Sequence, residues 1–145
     1  MYKNILIPTD GSELADKAVK HGVLLANENG ARITAVTVTE PFHLFSVAMS
    51  QIEYTRGEYK KHADTVAEKA LGVVADAAKR AGVACNTLHI EHEHVYQAII
   101  DAAASNGCDL ILMASHGRHG VSAIVLGSET VKVLTHSKIP VLVYR

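Results

Sequence analysis

Two glycine-bearing segments carry the residue types that bind a phosphate group. One is Pro8-Thr9-Asp10-Gly11-Ser12, and the other runs from Met113 to Gly120 and leads on to Gly127-Ser128. Glycines let the backbone approach an anion without a Cβ in the way, and a helix that opens at Gly127-Ser128 turns unpaired N–H groups toward that anion. Arg118 adds a positive charge. We therefore expect phosphate chemistry where the two segments meet.

The common phosphate-loop sequences do not occur in this chain, and each feature of the two segments also has a structural interpretation. There is no GxxxxGK[ST] sequence, and no GxGxxG follows the first apolar run. Asp10 is placed to cap the following helix together with Ser12, and Gly117 and Gly120 are ordinary residues for a loop. Ser128 is expected to be a helix N-cap whether or not a phosphate binds.

Histidines raise two further hypotheses, a metal site and a catalytic site. In a strand His92 and His94 share one face while His89 points to the other, so we expect no metal site. His116 and His119 lie beside the phosphate segment, but no nucleophile, carboxylate pair or metal set accompanies them. A binding site is favoured over a catalytic one.

Strand-like and helical patterns alternate along the chain and must position these segments. Apolar runs predict five strands, at residues 5–7, 33–38, 85–91, 109–113 and 139–144. Helical spacing follows Ser12, recurs along 67–81 and 95–102, and runs from Ser128 to His136, while Ser50 and Glu53 form a capping-box pair. This order predicts an α/β fold, an open doubly wound five-stranded parallel sheet with helices on both faces.

In such a sheet, ligands bind beyond the carboxyl ends of the strands, at the point where the strand order reverses. The two glycine-bearing segments follow the first and the fourth predicted strands. If those strands are neighbours, both segments line one crevice. We expect the ligand to bind in that crevice.

The composition restricts the class of protein. The 145 residues include 14 Lys and Arg against 15 Asp and Glu, and 48% of them are hydrophobic. That length fits one domain, residues 1–145, and the scattered basic residues argue against a nucleic-acid partner. No run approaches the roughly 20 apolar residues of a membrane-spanning helix, and the start has no signal-peptide core. The single cysteines Cys85 and Cys108 indicate reduced thiols, and hence a cytoplasmic location.

From end to end the chain resembles the universal stress proteins. The resemblance is carried by the segments Ile5 to Ser12, Asp109 to Gly117, Leu126 to Ser128 and Lys138 to Val143. The ATP-binding branch of that family carries the motif G-x2-G-x9-G-[S/T]. Gly117, nine intervening residues and Gly127-Ser128 match it, whereas Ala114 stands at the first glycine. The fold that the resemblance implies is adenine-nucleotide alpha-hydrolase-like.

The resemblance also implies a ligand, ATP, with Mg²⁺ bound beside it. Asp10 and the backbone near Val38 would hold the adenosine, and the phosphates would contact Gly117, Gly127, Ser128 and Thr130. The other residues expected at the site adjoin these: Pro8, Thr9, Met113, Ala114, His116, Arg118, Gly120 and Glu129. The methyl group of Ala114 costs little if φ is negative there and about 1 kcal/mol or more if it is positive. A dimeric interaction module that binds no nucleotide is therefore the alternative. A slow ATPase, or a phosphotransferase using His116 or Ser128, is a less favoured one.

The apolar segment from Ile139 to Tyr144 comes last and is expected at a sheet edge, where Pro140 is tolerated. An exposed apolar edge promotes aggregation unless it is covered or paired. Pairing with the same strand of a second copy satisfies both edges, and the resemblance implies the same homodimer. The sequence thus predicts a cytoplasmic, homodimeric stress-response protein in which the nucleotide controls conformation or the binding of protein partners yet to be identified.

Overall fold

A computed structural model of the chain describes residues 1–42, 55–117 and 125–145. Its strands are β1 (Asn4–Pro8), β2 (Arg32–Thr39), β3 (Cys85–Glu91), β4 (Leu110–Ala114) and β5 (Val141–Tyr144). The helices within these ranges are α1 (Glu13–Asn29), α2 (Arg56–Arg80), α3 (Val95–Ser105) and α4 (Ser128–His136). None of these helices is long and apolar enough to cross a membrane.

The five strands form one parallel sheet in the order β3-β2-β1-β4-β5. β1 lies at the centre, where Ile5 is opposite Ile33 of β2 and Leu110 of β4. One apolar cluster packs the sheet against α1 and α2, and a second packs the other face against α3 and α4. The doubly wound fold and the pairing of the first and fourth strands are confirmed.

The central strands are apolar because helices cover both of their faces. β4 is buried along its whole length, and β1 is buried as far as Ile7. Gly22 brings α1 close to the sheet, since a Cβ at that position would lie 2.5 Å from Cδ1 of Ile7. The two cysteines are free thiols, Cys85 half-buried and Cys108 buried, and burial raises the pKa of both.

Local hydrogen bonds explain where α1 and α2 begin. The hydroxyl of Ser12 accepts a hydrogen bond from the Ala15 N–H, which confirms it as the N-cap of α1. α2 begins with a capping box between Thr55 and Glu58. The capping box expected of Ser50 and Glu53 lies outside the described residues.

Three sequence-based boundaries are wrong for identifiable reasons. Gly127, not Ser128, is the N-cap of α4, and no side chain caps that helix. β4 starts after Asp109, whose carboxylate is hydrogen-bonded to backbone N–H groups at the start of β1. β5 starts at Val141 because Pro140 has no N–H and because the hydroxyl of Ser137 bonds both the N–H and the C=O of Ile139.

Asp109 links the start of β4 to β1, and its role depends on pH. Its carboxylate accepts hydrogen bonds of 2.9 Å from the Lys3 N–H and 3.1 Å from the Asn4 N–H. Burial acts to raise the pKa of Asp109, but these backbone N–H groups lower it overall. A carboxyl whose pKa is lowered by folding stabilises the protein above its unfolded pKa, and that contribution is lost as pH falls through the folded pKa.

We predict that Asp109→Asn lowers the free energy of unfolding by about 1 kcal/mol at pH 7. The difference from the parent protein should close as the pH falls below about 4, where the unfolded carboxyl titrates. Urea unfolding at pH 7 and pH 3 measures both quantities. Asp76→Asn, at an exposed position on α2, is the control. The same pH dependence in both variants would contradict the assignment.

Candidate functional site

A cleft of about 560 Å³ opens at the carboxyl ends of β1, β2 and β4. The chain leaves β1 toward α1 on one face of the sheet, while α4 packs on the other face, so the connections diverge at the switch between β1 and β4. Of the residues expected at the site, Arg118 and Gly120 lie outside the described residues. All the others line this cleft: Pro8, Thr9, Asp10, Val38, Met113, Ala114, His116, Gly117, Gly127, Ser128, Glu129 and Thr130.

The loop after β1 is held by its own side chains. Oγ1 of Thr9 accepts a 3.2 Å hydrogen bond from the Gly11 N–H, and Oδ1 of Asp10 accepts a 2.9 Å bond from the Ser12 N–H. Gly11 has a φ of 77°, a conformation that favours glycine. Asp10 therefore shapes the loop before the helix, and the capping of α1 is performed by Ser12.

Gly117 and Gly127 lie at close contacts between segments. A Cβ on Gly117 would overlap Oδ2 of Asp10, so the loop after β4 lies directly against the loop after β1. A Cβ on Gly127 would lie 3.1 Å from Cα of His116 and 3.2 Å from the Ser115 oxygen. A side chain at Gly127 would therefore press on backbone, whereas one at Gly117 would displace the end of the Asp10 side chain.

Two hydrogen bonds join the start of α4 to the end of β4. The Gly127 N–H donates to the Ser115 C=O at 2.7 Å, and the hydroxyl of Thr130 donates to the Ala114 C=O at 3.1 Å. Gly127 is the N-cap and has no side chain to accept from the first N–H groups of the helix. The N-terminus of α4 is thus fixed beside the cleft, and among the described residues no capping side chain accepts from its first N–H groups.

Glu129 has a structural role that the sequence did not indicate. Its Oε2 accepts a 2.8 Å hydrogen bond from the Tyr96 N–H in the first turn of α3, whose N-cap His94 makes no side-chain capping bond. Its Oε1 lies 3.4 Å from Nζ of Lys132. Glu129 therefore ties α4 to α3 through a charge-assisted cap, while it also lines the cleft.

Ala114 occupies the last position of β4 without backbone strain. It pairs with Tyr144 of β5, and no residue other than glycine in the described ranges has a positive φ. Its side chain is 9% exposed and belongs to the apolar cluster beneath α1. The methyl group at this position therefore carries no left-handed penalty.

Val38 presents backbone groups toward the cleft. The pairing of β1 with β2 ends at Pro8 opposite Val36, and Val38 points its N–H and C=O to the same side two residues later. The backbone groups that follow β1 form other hydrogen bonds. The Thr9 C=O accepts from the hydroxyl of Thr37, and the Gly11 N–H donates to Oγ1 of Thr9. The N–H and C=O of Val38 thus lie beyond the last hydrogen-bonded pair of β1 and β2.

The sequence reading missed one wall of the cleft, which α2 provides. Tyr59, His62, Ala63 and Val66 line it at the spacing i, i+3, i+4 and i+7. The hydroxyl of Tyr59 donates to the Glu40 C=O. Burial, then the carboxylates of Glu40 and Glu91, raise the pKa of Tyr59, so it remains a donor. The apolar spacing predicts this helix along residues 67–81, and in the structure the same spacing continues toward its N-terminus.

His89 in β3, and His92 and His94 after it, are not arranged as the strand pattern predicts. β3 ends at Glu91, so the strand alternation assumed for His92 and His94 is wrong, and Nδ1 of His92 accepts from the His94 N–H. Nε2 of His89 lies 2.8 Å from Oγ1 of Thr39. Among the described residues, no group of three or more His, Cys, Asp or Glu side chains is arranged to hold a metal ion.

A second depression lies at the opposite end of the sheet and is smaller. It has a volume of about 300 Å³ and is lined by residues at the amino ends of β1, β2 and β3, among them Arg32, Thr34 and Cys85. No helix N-terminus contributes to this lining. The cleft at the carboxyl ends is therefore the stronger candidate for an anionic ligand.

Known proteins share both the sequence pattern and this fold. Residues 1–145 match the universal stress protein family. Universal stress protein MJ0531 of Methanocaldococcus jannaschii is 30% identical, over 100% of this chain and 83% of its own length. The chain belongs to the universal stress protein family. Universal stress protein YxiE of Bacillus subtilis is 29% identical, with all of both chains covered.

Solved structures of this family have the same architecture. The protein MJ0577 has a TM-score of 0.82 at 28% identity, covering 99% of this chain and 96% of its own. A universal stress protein from Archaeoglobus fulgidus, solved in complex with dAMP, has a TM-score of 0.73 at 16% identity, covering 99% of this chain and 98% of its own. A further universal stress protein, solved in complex with cAMP, has a TM-score of 0.70 at 20% identity, covering 99% of this chain and 97% of its own. At these lower identities the likeness concerns the fold.

The contact between Gly117 and Asp10 yields a test by double-mutant cycle. We predict that Gly117→Ala destabilises the protein by about 1–2 kcal/mol, because the new Cβ displaces a carboxylate that is bonded to the Ser12 N–H. Adding Asp10→Ala should recover about 1 kcal/mol of that loss, since the obstructing atoms are gone. Chemical denaturation of the four proteins measures the coupling. Strictly additive effects would contradict the packing described for these loops.

Proposed function

We propose that this universal stress protein binds an adenine nucleotide in the cleft at the carboxyl ends of β1, β2 and β4. The observation that carries the proposal is the N-terminus of α4, which opens on the cleft without a capping side chain between Gly117 and Gly127. Unpaired N–H groups at the positive end of a helix dipole bind phosphate, and the two glycines keep side chains out of the approach.

The backbone of Val38 supports adenine as the base. One N–H and one C=O, side by side, complement the Watson–Crick edge of adenine, which offers a ring nitrogen acceptor and an amino donor. Guanine presents the opposite pair, an N–H donor and a carbonyl acceptor. Val36, Val38 and Val66 add apolar contact area around this end of the cleft.

The described residues fit an adenosine and the phosphate group next to it. Asp10 lies between the Val38 end and α4, because its carboxylate is packed on Gly117. That position suits a hydrogen bond from a ribose hydroxyl to the carboxylate. The residues of the cleft support an adenine nucleotide as the ligand. ATP with Mg²⁺, which the family resemblance implies, remains a prediction.

A bound nucleotide would contact several separate segments of the fold. The ligand would contact the loop after β1, the loop after β4 and the start of α4 at the same time. Ordering these segments relative to one another changes the surface that a partner meets, which is a population shift driven by the ligand. We therefore infer a cytoplasmic stress-response module that responds to nucleotide occupancy rather than one that depends on rapid turnover.

The second part of the proposal is a homodimer formed through the C-terminal segment from Ile139 to Tyr144. β5 is an edge strand, and Leu142 on it is 41% exposed. Val131 and Leu134 on α4 are exposed by 45% and 41%. A second copy would cover this apolar edge and pair its unpaired backbone groups with two-fold symmetry.

We predict that AMP binds at least tenfold more tightly than GMP, because the two bases present opposite hydrogen-bonding edges to Val38. Isothermal titration calorimetry at pH 7.5 measures both affinities. Ser128→Pro should weaken binding of AMP while leaving a folded protein by circular dichroism, since proline is tolerated at the first position of α4 but removes one of its N–H donors. Equal affinities for the two nucleotides would contradict the orientation proposed for the base.

Ala114→Gly is the matched variant for the motif position that departs from the family. Because Ala114 has no positive φ, we expect the affinity for AMP to change by less than threefold. Binding that appears only in Ala114→Gly would instead support the alternative, an interaction module that does not bind a nucleotide.

We predict a solution mass of twice that of one chain in light scattering. Leu142→Lys should shift the population to the monomer, because it introduces a charge into the proposed edge contact. Leu24→Lys is the control, since Leu24 is 57% exposed on α1, away from β5. A monomeric parent protein, or an equal effect of both substitutions, would count against this interface.

A further inference from the structure

The charges around the cleft are unusual for a site that would hold several phosphate groups. The described lining residues include the carboxylates of Asp10, Glu40 and Glu129, together with His62 and His116. None of them is lysine or arginine. Sites for di- and triphosphates ordinarily use a lysine, an arginine or a metal ion to balance the charge. The number of phosphates is therefore a separate question from the identity of the base.

Two lysines on the helices beside the cleft are paired with acidic side chains. Nζ of Lys132 on α4 lies 3.4 Å from Oε1 of Glu129 and 5.6 Å from the centre of the Tyr96 ring. On α2, Nζ of Lys60 lies 3.2 Å from Oδ2 of Asp64. Within the described part of the chain, positive potential at the phosphate position thus comes mainly from the start of α4.

The start of α4 can balance only a small negative charge. A helix N-terminus is equivalent to about half of a positive charge, and its effect falls off within the first turn. Glu129 is the second residue of that turn, and its carboxylate is held in place by the Tyr96 N–H. A first phosphate at the N–H groups is favourable, but every further phosphate adds negative charge beside Glu129 and Asp10.

We propose that Glu129, together with Asp10, makes the cleft selective for adenine nucleotides that carry a single phosphate group, AMP rather than ATP. The proposal rests on the proposed function and deepens it by naming the ligand's charge. Glu129 acts in two ways, since it adds negative charge to the lining of the cleft and pairs with Lys132, which does not itself line the cleft.

Two variants, each of which removes one negative charge, distinguish a local effect of Glu129 on phosphate number from a general effect of net charge. Glu129→Gln keeps an oxygen that accepts from the Tyr96 N–H, removes the negative charge and releases Lys132. Glu13→Gln makes the same change in the first turn of α1, where Glu13 lies 3.4 Å from Nζ of Lys17 and does not line the cleft. Calorimetric titrations with adenosine, AMP, ADP and ATP, in EDTA, are run on the parent protein and both variants.

We expect the parent protein to bind AMP about tenfold more tightly than ATP, and Glu129→Gln to narrow that ratio at least threefold while Glu13→Gln leaves it unchanged. Tighter binding of ATP than of AMP by the parent protein would overturn the proposal. This holds even if Arg118→Ala restores tighter binding of AMP, because the charge of Arg118 would then outweigh that of Glu129 in the natural chain. Equal ratios in the two glutamine variants would remove Glu129 from the explanation. If no adenine nucleotide binds to the parent protein or to either variant, the proposed function itself fails.

Discussion

The pairing of β1 with both β2 and β4 is the constraint on which the rest of the structure depends. The strand order β3-β2-β1-β4-β5 reverses at β1. The helix that follows β1 therefore packs on one face of the sheet, and the helix that follows β4 packs on the other. The loops after β1 and β4 cannot fill the space above the strands, and a cleft remains there. The buried apolar sequence of β1 and β4 thereby determines the place of the site as well as the core.

Polar contacts then determine the shape of that space. The hydroxyls of Thr37 and Thr130 donate to the Thr9 and Ala114 carbonyls, and Gly117 brings the two loops into contact at Asp10. Satisfying these buried groups holds the strand ends rigid. Within the described ranges, no capping side chain covers the N-terminus of α4, and the ladder between β1 and β2 ends before Val38. A site built mainly from backbone groups binds through shape and dipoles, which suits recognition better than acid–base catalysis.

Much of the fold could be predicted from the sequence, and the reasons for the errors are local. Continuous apolar runs predicted the strands because covering helices demand them, and the strand-end segments that contain Gly117 and Gly127 do line one cleft. The boundaries failed where a side chain competes with the ladder, as Asp109 and Ser137 do. The bond from Glu129 to the Tyr96 N–H and the α2 wall join distant parts of the chain, and periodicity within one element cannot reveal such contacts.

The most direct test of nucleotide binding in this cleft is an NMR titration of ¹⁵N-labelled protein with AMP, which observes the proposed donors themselves. The backbone amides of Val38, at the base end, and of Ser128, at the start of α4, should show the largest chemical-shift changes. The amide of Asn86, at the opposite end of the sheet, should remain unchanged. Shifts concentrated around Asn86 and Arg32, or none at Val38 and Ser128, would contradict the account.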